Sequence, residues 1–157
     1  MNTLAKLIAT GLGSGYMPVA PGTAGAALAV IITYFIATLS AGPAELDIYL
    51  GILSVVFTIL GIWSANVLQD EWGHDPGKIV VDEMVGIWIS MLFIPFSIIN
   101  LLLAFGLFRL YDIWKPWIVK KAENLDGGLG VMADDIVAGL FANVTLQFIL
   151  IVAIKYL

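Results

Sequence analysis

Residues 75–95 read Asp75-Pro-Gly-Lys-Ile-Val-Val-Asp82-Glu83-Met-Val-Gly86-Ile-Trp-Ile-Ser-Met-Leu-Phe-Ile-Pro95. Two adjacent carboxylates stand at the mouth of an apolar run, and Pro95 interrupts that run. A proline inside a helix removes a backbone hydrogen bond and clashes with the preceding turn. Whether residues 84–111 cross a membrane once or fold back at Pro95 decides which parts of the chain can meet. Everything else in the reading turns on that choice.

That a membrane is involved follows from composition. Of the 157 residues, 61% are hydrophobic and 12% charged, and mean hydropathy is +1.00. Soluble domains carry about 45–50% apolar and about 25% charged residues. The chain therefore reads as an integral membrane protein, and its length fits one domain covering residues 1–157. A formal net charge of −5, with seven Lys and Arg, argues against nucleic-acid binding, which needs a basic face. The absence of Cys excludes disulfides, thiolate metal sites and a cysteine nucleophile. The first residues hold no apolar core with a cleavage site, so no signal peptide is expected.

Residues 1–9 are mildly amphipathic and predict a short interfacial helix. Residues 11–22 contain Gly11, Gly13, Gly15, Pro18, Pro21 and Gly22, too many breakers for a regular helix. Thr23 is placed to cap the helix that follows. Apolar segments are expected at about 24–39, 48–67 and 136–157, and about 20 residues suffice to span a bilayer. Two polar islands separate them, at 69–83 and 109–135.

A single crossing by residues 84–111 would put the two islands on opposite sides. A helical hairpin turning at Pro95 would put both islands and the N-terminal loop on one side. Lys6, Lys78, Arg109, Lys115, Lys120 and Lys121 then share a face and Lys155 alone lies opposite. By the positive-inside rule the shared face is cytoplasmic. The two hairpin pieces, rising about 15 and 22 Å, are shorter than a hydrocarbon core of about 30 Å and must pack within the protein. The sequence thus predicts an all-α bundle of about three spanning helices plus a Pro-broken hairpin. Helices this short also favour a homodimer.

The hairpin brings Asp82-Glu83 to the same face as a second pair, Asp134-Asp135. Each pair alone reads equally well as a helix cap and a first-turn charge on the helix dipole. Two pairs on one face of a chain with 12 acids point instead to a cation. Oxygen-only ligation suits Mg²⁺, which takes one or two carboxylates and substrate phosphate oxygens. Adjacent helical residues diverge by about 100°, so both members of a pair reach one ion only from a loose first turn. Asp112 and Lys115 stand i, i+3 and could pair, or Lys115 could face phosphate as a point charge. The glycine-rich loop before the first span could offer N–H groups to an anion; close helix packing explains its glycines equally well. His74 reads as a solvated loop residue, Lys120 and Lys121 as anionic-lipid contacts.

Four motifs in order, Gly13-Ser-Gly15-x-x-Pro18-x-x-Pro21-Gly22-Thr23-x-Gly25, Asp75-Pro-x-x-Ile-Val-x-Asp82-Glu83-x-x-Gly86, Phe108-Arg-x-x-Asp112-x-x-Lys115-Pro116 and Gly128-x-Gly130-x-Met132-x-Asp134-Asp135-x-x-Ala138-Gly139, resemble the phosphatidylglycerophosphatase A family. The resemblance implies Mg²⁺-dependent hydrolysis of phosphatidylglycerophosphate to phosphatidylglycerol and phosphate, at the cytoplasmic face of a bacterial inner membrane. It implies a central helix surrounded by others. It carries Asp82, Glu83, Asp112, Lys115, Asp134 and Asp135 as the site, with Asp82, Glu83, Asp134 and Asp135 as metal ligands. Ser14, Gly22, Thr23 and Lys78 are expected to bind the phospholipid substrate.

Two chemical routes stay open, a metal-activated water and an aspartyl-phosphate. Missing signatures for the common aspartyl-phosphate and His-nucleophile phosphatases favour water. A small cation transporter is the alternative function, but it would carry acids at mid-membrane on several spans. A scaffold without a site would tolerate loss of Asp82 or Asp134.

Overall fold

The computed structural model describes residues 2–73 and 76–156. His74 and Asp75, read above as a loop residue and a motif residue, lie outside the described residues. Seven α-helices follow in chain order: α1 (Thr3–Ala9), α2 (Pro21–Leu39), α3 (Pro43–Trp72), α4 (Val81–Met91), α5 (Ile98–Trp114), α6 (Trp117–Glu123) and α7 (Gly127–Tyr156), with a 3₁₀ turn at Ser14–Tyr16. Three helices are long and apolar enough to cross a membrane: Pro21–Leu39, Pro43–Trp72 and Gly127–Lys155. The expected all-α bundle with three spans and a hairpin is the architecture found.

The short helix α4 is the centre of the molecule. Every one of its residues except Glu83 is buried, and it packs against α2, α3, α5 and α7. Eleven residues rise only about 16 Å, so α4 cannot reach across a hydrocarbon core of about 30 Å. An apolar helix all round needs protein on every side, and four neighbours supply it. Close approach is bought with glycine: a Cβ on Gly86 would strike the Phe108 ring of α5, and a Cβ on Gly139 of α7 would strike the Gly86 carbonyl oxygen.

Helices α4 and α5 form an antiparallel hairpin. The reversal is a turn rather than a kink at Pro95: α4 stops at Met91, Phe93 takes φ 60°, and α5 begins at Ile98. Backbone groups at membrane depth must find partners inside the protein, and three side chains provide them. Asn143 of α7 donates to the carbonyls of Ser90 and Leu92 at 3.2 and 2.7 Å. Asp47 at the start of α3 accepts from Phe93 N–H at 2.8 Å. Ser97 caps α5, its hydroxyl oxygen accepting from Asn100 N–H at 3.0 Å.

At the opposite end the chain is tied together around the start of α4. Val80 N–H donates to the Ala9 carbonyl at 2.8 Å, joining the N-terminal helix to the entry of α4. Lys6 pairs with Glu71 at the end of α3. Arg109, near the end of α5, lies 3.7 Å from Glu83, and Lys115 bonds Asp134 of α7. The N-terminal segment and both polar islands therefore share one end of the bundle, as the hairpin requires and a single crossing forbids.

Some boundaries differ from expectation. Thr23 does not cap α2: the helix starts at Pro21 after Ala20, and Thr23 lies inside its first turn. Proline at the first helical position needs no N–H partner, and this let the helix start earlier. Helix α7 starts at Gly127, well before the expected segment, so Asp134 and Asp135 lie inside a helix and cap nothing. Asp82 is not a cap either, since Val80 holds that position.

Candidate active site

Asp82 and Glu83 stand in the first turn of α4 and Asp135 in the third turn of α7. Each offers a carboxylate oxygen such that all three oxygens lie within 4.8 Å of one another. Adjacent residues on a helix diverge, but Asp82 is short, Glu83 is long, and α7 passes on the side where both can meet it. Asp82 and Asp135 are 7% and 3% exposed, and like charges gathered at such burial are costly. Burial pushes the Asp82 carboxyl well above the usual range, with Glu83 and Asp135 adding repulsion. Burial also raises Glu83, partly offset by its bond with Asp82 and the charge of Arg109.

The fourth expected ligand, Asp134, lies outside that trio of oxygens. Its Oδ2 accepts from Lys115 Nζ at 2.9 Å, and Lys115 also holds Glu123 at 2.9 Å. Lys115 is the residue that ends α5, in the left-handed region at φ 45°, with Pro116 after it. That conformation, uncommon for a residue with a side chain, swings the ammonium off the α5 face and towards α6 and α7. Burial pulls the Lys115 ammonium down, but its bonds to Glu123 and Asp134 outweigh that and hold it above the ordinary lysine value. Lys115 therefore does not pair with Asp112, as their spacing suggested.

Asp112 is held by Arg109 instead, one turn earlier on α5. Arg109 Nη1 also sits 3.7 Å from Glu83 Oε1, and both side chains are largely buried, at 17% and 15% exposure. From the sequence Arg109 counts as a cytoplasmic-face charge and a motif residue, not as a site residue. The usable signal was its i, i+3 spacing from Asp112, the same spacing that pointed to Lys115. Glu123 had no local signal, because its contact with Lys115 depends on how α6 folds back.

Two buried polar atoms here have no hydrogen-bond partner: Glu83 Oε2 and Arg109 Nε. Gly22, in the first turn of α2, closes over the same place. A Cβ there would land on Glu83 Oε1 and lie 3.3 Å from Arg109 Nη1. Of the other expected substrate residues, Ser14 bonds the carbonyls of Thr10 and Gly11. Thr23 lies next to Gly22 in the first turn of α2. Lys78 lies over the Trp72 ring at 5.6 Å, as Lys6 does, rather than among the carboxylates.

A family model described as Phosphatidylglycerophosphatase A matches residues 7–150. The chain belongs to that family. The match spans Asp82, Glu83, Arg109, Asp112, Lys115, Glu123, Asp134 and Asp135. An Escherichia coli Phosphatidylglycerophosphatase A is 37% identical over 146 residues, covering 91% of this chain and 81% of its own. A Haemophilus influenzae Phosphatidylglycerophosphatase A is 36% identical over 153 residues, covering 96% and 88%. A Bacteroides thetaiotaomicron protein named "Putative phosphatidylinositol-3-phosphatase" is 47% identical over 159 residues, covering 98% and 94%. No solved structure matches the chain. Family membership and three apolar helices together make this a membrane protein.

Proposed function

We propose that this protein is a Mg²⁺-dependent phosphatase that hydrolyses phosphatidylglycerophosphate to phosphatidylglycerol and inorganic phosphate. The observation that carries the reading is the meeting of Asp82, Glu83 and Asp135 within 4.8 Å, with Glu83 Oε2 buried and unpartnered beside them. These residues fit a hard cation: all donors are oxygen, as Mg²⁺ prefers, and a buried orphan acceptor needs a positive partner. Asp82, Glu83 and Asp135 would hold the ion. Bound there, it supplies Lewis-acid stabilisation of the charge on a phosphate.

The chain's own residues do the rest. A water oxygen attacks phosphorus, the ester bond breaks, and its electron pair passes to the glycerol oxygen, which takes up a proton from solvent water. Asp112, oriented by Arg109 and outside the three-carboxylate cluster, takes the proton of the attacking water. Lys115 fixes Asp134 and carries positive charge at the same end of the bundle. Ser14, Gly22, Thr23 and Lys78 form the substrate side of the reading, and Gly22 has the most direct support because a Cβ there would meet Glu83 and Arg109. The family match over residues 7–150 supports a single domain. Six of the seven Lys and Arg fall at the active-site end, which supports a cytoplasmic active site in a bacterial inner membrane.

The 47% identity to the Bacteroides thetaiotaomicron protein favours a second substrate reading, phosphatidylinositol 3-phosphate. Both are terminal phosphate monoesters on anionic phospholipids, so one site chemistry serves either. Phosphate release from each lipid in detergent micelles separates them. The expected result is release from phosphatidylglycerophosphate that needs Mg²⁺, stops with EDTA, and falls about 10³-fold, or about 4 kcal/mol of barrier, in Asp82→Asn and Asp135→Asn. Preference for the inositol lipid would replace the substrate. No release from either under any divalent cation would overturn the phosphatase reading.

A further inference from the structure

We infer that Arg109 binds the phosphate of the substrate directly, an inference that rests on the phosphatase reading. Its guanidinium cannot shed its charge in a protein, so each buried N–H of it needs an acceptor. Nη1 has Asp112. Nε is buried with no acceptor, which leaves its full desolvation cost unrecovered.

The side chain next to Arg109 carries an orphan acceptor. Glu83 Oε2 is buried without a partner, although Glu83 and Arg109 approach to 3.7 Å through other atoms. Two neighbouring side chains, one with an unpartnered buried donor and the other with an unpartnered buried acceptor, are two halves of a site that takes an ion pair from outside. The carboxylate calls for a cation and the guanidinium for an anionic oxygen. A phosphate monoester accompanied by a divalent cation meets both demands.

Lys115 is less suited to this role. Two of its N–H groups are committed to Asp134 and Glu123, each at 2.9 Å. Arg109 is the cation of the site with a buried N–H in reserve. Charge points the same way: among the described residues, the cations paired with this group of Asp82, Glu83, Asp112, Asp134 and Asp135 are Arg109 and Lys115, and a dianion approaches such a cluster only where a cation faces it. Gly22 keeps the space open, since a Cβ there would fill the ground between Glu83 and Arg109.

The test compares wild type, Arg109→Lys and Arg109→Gln, each full length in detergent. Three quantities are read: KM against kcat for the lipid, competitive inhibition by inorganic phosphate, and the Mg²⁺ concentration giving half-maximal activity. The geometry points to a rise of about tenfold or more in both KM and the phosphate inhibition constant for Arg109→Lys, which keeps the charge but loses the fork. The Mg²⁺ requirement stays within about twofold of wild type. An unchanged phosphate constant with an altered Mg²⁺ requirement would overturn the inference and make Arg109 a positioning residue for Glu83. Calorimetric binding of inorganic phosphate with Mg²⁺ present gives a readout independent of turnover. If wild type hydrolyses no lipid yet binds phosphate and Arg109→Gln does not, the phosphatase reading fails and the anion site stands. Equal binding by both would overturn the anion site even with turnover intact.

Discussion

Gly22 sits in the first turn of α2, where alanine would ordinarily favour the helix by up to about 1 kcal/mol. Its place against Glu83 Oε1 and Arg109 Nη1 sets a site against that propensity. Gly22→Ala should therefore leave the midpoint of thermal unfolding within a few degrees of wild type while lowering kcat/KM by about 10- to 100-fold, as a displaced charged hydrogen bond would. Unaltered turnover would show that Glu83 moves aside without consequence. At this scale the sequence was informative about residue type and poor about pairing. Asp82, Glu83 and Asp135 could be named because acids are rare in so apolar a chain. That Asp134 goes to Lys115 while Asp135 joins the cluster could not be named, because adjacent residues differ only in the side of α7 they occupy. Arg109 and Lys115 each stand three residues from Asp112, and the left-handed turn at Lys115 decides between them.

Among the elements, α4 depends on its glycine. Gly86 faces the Phe108 ring on one side and the Gly139 backbone on another. Gly86→Ala should destabilise the protein by about 1–3 kcal/mol through overpacking, read as a lower unfolding midpoint in detergent. Gly106 of α5 has open space where its Cβ would be, so Gly106→Ala should be neutral or stabilising by up to about 1 kcal/mol. Equal effects of the two would deny that glycine sets the distance between α4 and its neighbours. The hairpin itself was readable from Pro95 and from lengths too short to span. The means of closing it were not: Asn143 and Asp47 reach the turn from distant parts of the chain, and neither lies in a local motif for a turn. Helices α2, α3 and α7 open on Pro21, Pro43 and Gly127, ahead of the apolar segments, because hydropathy marks where a segment turns apolar and not where its first turn forms.

For the whole molecule, the hairpin has a consequence for sidedness. Lys121, with the second polar island, and Ala41, between α2 and α3, should face opposite sides of the membrane. The chain has no natural Cys, so single cysteines at these exposed positions can be tested one at a time in intact cells stripped of their outer barrier. A membrane-impermeant maleimide should label Ala41→Cys and leave Lys121→Cys unlabelled until the membrane is opened. Labelling of Lys121→Cys from outside would reverse the orientation, and labelling of both would restore a single crossing. The sequence by itself determined that this chain lives in a membrane, that three segments can span it, and that its acids gather at segment ends. Those are properties of composition and period, which act locally and sum along the chain. Only the tertiary structure decided that α4 lies buried at the centre, which three carboxylates meet, and that Arg109 stands between Glu83 and Asp112. Such pairings depend on the rotation and depth of one helix against another, which glycine contacts and a clamped turn set together and no single stretch encodes.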